Sequence, residues 1–138
     1  MDSNTIILIV GLPGSGKSYL ADQINKESRG KFLVINDPKY FKQIAKSVDQ
    51  DLIITDPHLC FENNRKLAIK KIKSLNPNCK IKWIFFENDP QKCLENSERR
   101  NRLNKNSKEV KSFINKFCDY YTIPDSFKPL KVFSVLIF

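Results

Sequence analysis

The chain has 138 residues, 41% of them hydrophobic, and a formal net charge of +9, which leaves room for one domain with a real core but not for a second catalytic domain. No apolar run reaches membrane-spanning length and no basic leader precedes the first apolar run, so a non-membrane, cytoplasmic domain is expected. Cys60, Cys79, Cys93 and Cys118 show no C-x-x-C spacing and His58 is the single histidine, which argues against a structural zinc site and for reduced, mostly buried thiols.

Charge and codon usage are both skewed. Residues 62–116 hold 15 Lys/Arg against 6 Asp/Glu, so they carry the whole net charge of +9. Such a field attracts polyanions, although a solvated, lysine-rich helix surface would look the same. Lys, Asn and Ile number 19, 13 and 15, and all three have A/T-rich codons, a bias expected of an A/T-rich genome.

In chain order, strand and helix patterns alternate, which predicts an α/β fold with a parallel sheet. A first strand is expected over 5–10, from the run Ile6–Val10. It leads directly into Gly11-Leu12-Pro13-Gly14-Ser15-Gly16-Lys17-Ser18, which fits G-x-x-x-x-G-K-[ST], the phosphate-binding loop, at every defined position. A helix to about 27 follows, with Leu20, Ala21 and Ile24 on one face. In this context Gly11, Pro13, Gly14, Ser15 and Gly16 let backbone N–H groups turn inward on phosphate oxygens, and the helix start, with Tyr19, adds a favourable field. Lys17 can reach the β- and γ-phosphates of ATP, and the Ser18 hydroxyl can ligate Mg²⁺.

A second strand over 32–35 ends at Asn36-Asp37-Pro38, and a short helix over 38–46 follows. Asp37 suits a general base for a hydroxyl attacking the γ-phosphate; an Asp before Pro is also an ordinary helix cap. A third strand over 51–55 ends at Asp56-Pro57-His58. Asp56 can hold Mg²⁺ through water or orient substrate, or it can cap the next turn; His58 is a weaker substrate candidate. A helix over 60–75, the turn Asn76-Pro77-Asn78, a fourth strand over 80–86 and a helix from Pro90 to about Arg100 come next. Residues 99–108 hold five positive charges and no acid, which reads as a mobile, exposed lid. Arg99, with Arg102 or Arg100, is the candidate to close over the transferring phosphoryl group. A helix over 108–121 with Val110, Phe113, Ile114, Phe117 and Tyr121 at helical spacing, and a fifth strand over 131–137, complete the chain. In such a sheet the phosphate loop, Asp37 and Asp56 all fall at carboxyl ends of strands, where ligands bind.

Taken together these pieces resemble the kinase domain of the phage-type 5′-hydroxyl polynucleotide kinases, within the wider P-loop kinase group. Gly11–Ser18 looks like that family's phosphate loop, and Asp37 falls at the position of its general base. Ile54-Thr55-Asp56-Pro57-His58-Leu59 resembles its third-strand motif, and Asn96-Ser97-Glu98-Arg99 the start of its arginine lid. Two departures stand out: Glu95 occupies the place of another lid arginine, and Asn36 replaces the arginine before the base. The resemblance implies a single kinase domain over 1–138, a three-layer fold with a five-stranded parallel sheet and a basic lid, use of ATP and Mg²⁺, and Arg99 on the nucleotide phosphates.

The resulting expectation is an ATP-dependent phosphotransferase acting on a hydroxyl, best matched by a nucleic-acid 5′-hydroxyl. A small-molecule or nucleotide kinase and a non-catalytic ATP-binding module remain as alternatives. Only about thirteen residues separate Asp37 from the third strand, leaving little room for a cap over a nucleoside monophosphate.

Overall fold

The computed structural model describes residues 4–36, 40–47, 49–101 and 107–133. Strand β1 (Thr5–Val10) leads into helix α1 (Lys17–Glu27), then β2 (Leu33–Ile35), α2 (Tyr40–Ser47) and β3 (Leu52–Thr55). A 3-10 turn (Pro57–Cys60) precedes α3 (Glu62–Leu75), followed by β4 (Lys80–Phe85), α4 (Pro90–Asn101) and α5 (Ser107–Cys118).

The four strands form one parallel sheet in the order β2-β3-β1-β4. β1 is central, which explains its unbroken apolar run: both of its faces are covered. Successive side chains point to opposite faces. Ile6, Leu8 and Val10 pack with Ile44 of α2, Ala68 and Ile72 of α3, Cys93 of α4 and Ile114 and Phe117 of α5. Ile7 and Ile9 pack with Leu20, Ala21 and Ile24 of α1. The result is three layers, helix, sheet and helix, as expected from the alternating pattern. At the β4 edge, Lys80 and Lys82 are exposed, and charges there discourage pairing with another chain.

The sheet has four strands among the described residues, where five were expected. Leu130 forms a single parallel bridge with Phe86, and the chain then leaves the ladder. The backbone groups that a strand would need are used elsewhere. The Phe133 N–H donates to the Ser15 carbonyl at 3.3 Å, its carbonyl accepts from Asn96, and the Val132 N–H donates to Glu87 Oε1. The remainder of the expected strand lies outside the described residues.

Three smaller differences concern helix ends. The helix expected over 60–75 starts at Glu62 instead, because Asp56 caps a separate 3-10 turn ending at Cys60 and Phe61 is extended before α3. α4 runs on to Asn101, so Arg99 sits on a helix rather than in a loop. The last helix ends at Cys118, and Tyr121 lies beyond it.

Candidate active site

The carboxyl ends of β1, β2 and β3 open onto one cleft of about 300 Å³. It is lined by Pro13, Gly14, Lys17 and Ser18 from the loop and start of α1, Asn36 after β2, and Thr55 and Pro57 after β3. Ser97 of α4 and Val110 of α5 close its other side. The order β2-β3-β1 makes the chain jump over β3 between the first two strands. The cleft therefore lies at a topological switch point, where parallel sheets open to ligands.

The loop is built for close backbone approach. Gly14 and Gly16 have φ of +86° and +106°, values at which a side chain is strained. A Cβ on Gly14 would also stand 2.5 Å from the Cys93 carbonyl oxygen, so α4 rests directly on the loop. Lys17 is buried, and its ammonium donates to the carbonyls of Gly11 (2.8 Å) and Leu12 (2.9 Å). The buried Ser15 hydroxyl has no hydrogen-bond partner among the described residues. A buried polar atom without a partner is costly unless a ligand group satisfies it. Positive-φ glycines, a buried ammonium and an unsatisfied hydroxyl together fit an anionic, oxygen-rich group such as a polyphosphate.

Two residues, Asn96 and Phe133, clamp this loop from outside. The Asn96 amide, 2% exposed, donates to the Gly14 carbonyl at 2.9 Å and to the Phe133 carbonyl. The Phe133 ring lies over Gly16, edge-on to Tyr19 (5.2 Å between centroids) and to Phe86 (5.6 Å). Asn96 and Phe133 were not singled out as site residues from sequence. The signal for Asn96 was available, since a buried Asn on an amphipathic helix needs a partner, but Phe133 read as part of a strand.

The other expected site residues fall as follows. Asp56 is buried at the end of β3, and its Oδ1 accepts from the His58 N–H and meets His58 Nδ1, both at 2.9 Å. That geometry caps the 3-10 turn and draws the His58 ring toward Phe117, 5.5 Å away, and neither residue lines the cleft. Thr55 does line it, and its hydroxyl donates to Asn36 Oδ1, tying β3 to β2. Arg99 is exposed on α4, two residues beyond the cleft residue Ser97. Asp37 and Arg102 lie outside the described residues, as does half of the expected lid, residues 102–106. Among the described residues no cluster of three or more His, Cys, Asp or Glu side chains could hold a metal by itself.

Beneath the cleft, burial pushes the Cys60 and Cys93 thiols up to about 12, opposed by the nearby Lys17 charge. Burial likewise raises Tyr121, whose hydroxyl donates to the Phe86 carbonyl. Arg65 is 7% exposed and is lowered by burial. Its guanidinium donates to the Leu59 and Cys60 carbonyls (both 2.9 Å) and to Thr122 Oγ1 (3.1 Å), fastening α3 under the 3-10 turn.

Across 122 residues the chain is 30% identical to the uncharacterized protein R277 of Acanthamoeba polyphaga mimivirus, and the match covers 86% of each. The chain belongs to the family of mimivirus R277. No family model matches it. Among solved structures, it superposes on a fungal RNA kinase with a TM-score of 0.60 at 16% identity, covering 94% of this chain and 71% of that one. A gluconokinase from Sinorhizobium meliloti 1021 matches with a TM-score of 0.58 at 12% identity, over 94% and 81% of the two chains. The R277-family chain therefore has the fold shared by these kinases.

Proposed function

We propose that the chain is an ATP-dependent phosphotransferase that moves the γ-phosphate to a hydroxyl, with a polynucleotide 5′-hydroxyl as the favoured acceptor. The observation that carries this reading is the phosphate loop itself. A buried ammonium at Lys17 and an unsatisfied hydroxyl at Ser15 sit in a glycine turn that forms one wall of a cleft. The ends of β2 and β3 line the same cleft beside the loop, where an acceptor would rest.

In this reading the loop N–H groups and Lys17 hold the β- and γ-phosphates, and Lys17 offsets charge that builds on the transferring group. Ser18, which lines the cleft, would hold Mg²⁺, which supplies charge neutralisation on the phosphates when bound. Asp37 directly follows Asn36, a residue of the cleft, and serves as the base that takes the proton of the acceptor hydroxyl. Arg99 of α4 would bind phosphate oxygens, with Arg102, three residues on in the sequence, as its partner in that role. The shared fold with an RNA kinase supports a polynucleotide acceptor. The shared fold with a gluconokinase is the reason to include small polyols in any acceptor screen.

The test separates binding from transfer. Asp37→Asn should lower γ-phosphate transfer by about 10²–10⁴-fold while nucleotide binding, read with a fluorescent ATP analogue, stays within about twofold. Full transfer in that variant would remove Asp37 from the mechanism. Lys17→Ala that still turns over ATP normally would overturn the reading of the site.

A further inference from the structure

Leaving the cleft along α5 is a stripe of aromatic rings that the phosphate site does not use. Val110 lines the cleft, Phe113 and Phe117 follow it at spacings of three and four residues on the same side of α5, and Tyr120 comes two residues past the end of the helix. The rings touch in sequence. Phe113 lies 5.7 Å from Phe117, Phe117 lies 4.9 Å from Phe61, and Phe61 lies 5.8 Å from Tyr120. His58, next to the cleft residue Pro57, joins the cluster at 5.5 Å from Phe117. Phe117 is buried and anchors the row, whereas Phe113 and Tyr120 are 49% and 60% exposed. Lys116, exposed, stands three residues after Phe113 on α5, so a cation neighbours the rings.

We propose that this stripe is a stacking track for a single-stranded polynucleotide whose 5′ end enters the cleft. The proposal rests on the reading of the cleft as a phosphotransfer site. Unpaired bases present a π-face of any sequence to such rings, whereas a duplex stacks its bases on each other and offers mainly phosphates. The neighbouring Lys116 and the excess of positive charge over residues 62–116 suit a strand with a charged backbone better than an apolar helix of a protein partner. Continuity with Val110 and Pro57 gives the strand a path that ends at the phosphate loop.

The test is fluorescence anisotropy with a labelled, single-stranded oligonucleotide about a dozen nucleotides long carrying a 5′-hydroxyl. Phe113→Ala/Tyr120→Ala removes two exposed rings, and a retained thermal melt shows that the fold is intact. Binding should weaken by about tenfold or more in the double variant. Lys116→Gln should lower the slope of log Kd against log salt by about one. Equal affinity in wild type and double variant overturns the track. Phosphorylation of a small alcohol by a wild-type protein that binds no oligonucleotide also overturns it, and leaves the phosphotransferase standing. Ring-dependent oligonucleotide binding without transfer to any acceptor upholds the track and removes the reaction.

Discussion

At the residue scale, Lys17 shows how the loop keeps a charge inside the protein: two main-chain carbonyls at 2.8 and 2.9 Å replace much of its hydration. A polyphosphate would compete for the same ammonium with full negative charges, a stronger acceptor than a carbonyl. Cys60 and Cys93, just beneath, illustrate the opposite outcome. Burial raises both from 9.0 to about 12, so they stay neutral thiols and serve packing rather than chemistry. The unfolded chain exposes them and releases their protons at lower pH. Stability is therefore fully present below pH 9.0 and falls as pH rises from there toward about 12, a loss shared with the buried Tyr121 hydroxyl. Urea melts on either side of pH 9.0 should show a lower alkaline midpoint, and Cys60→Ala should make that drop smaller. An unchanged drop in the variant would show that its thiol plays no part.

At the element scale, the clamp on the phosphate loop is the feature sequence conveyed least. The loop, the four strands, the cap before Pro57 and the helix start at Pro90 were legible, because glycine spacing, apolar runs and Asp-Pro pairs are local signals. Asp89 caps α4, accepting from the Lys92 N–H at 3.0 Å. The run Val132-Phe133 has local strand character, but its fate was set by partners distant in sequence. Ser15, Glu87 and Asn96 take its backbone groups before β4 can. Asp56 was legible as a polar residue at a strand end, yet spacing alone could not tell a cap from a metal ligand, and the side chain faces His58. Removing the clamp should loosen the loop without unfolding the sheet. Asn96→Ala leaves the Gly14 carbonyl without its donor and is expected to weaken ATP binding by about tenfold, close to the cost of one buried hydrogen bond. Titration calorimetry reads this directly, and unchanged affinity would show that α4 does not order the loop.

At the scale of the whole molecule, the fold and the charge divide the work. A central strand buried on both faces fixes the loop. The cleft opens where β1, β2 and β3 end, and α4 and α5 reach it from the far side. The positive excess over residues 62–116 draws polyanions toward a surface that includes α4 and α5, with attraction that weakens as salt rises. Kinship with mimivirus R277 places a second protein under the same account, since the match spans 86% of both chains. The most direct test of the central claim is transfer of labelled γ-phosphate from ATP, with Mg²⁺, to a panel holding a 5′-hydroxyl oligonucleotide, nucleosides and small polyols. The account predicts label on the oligonucleotide 5′ end, lost in Lys17→Ala. Tight ATP binding with no label on any member of the panel would contradict it.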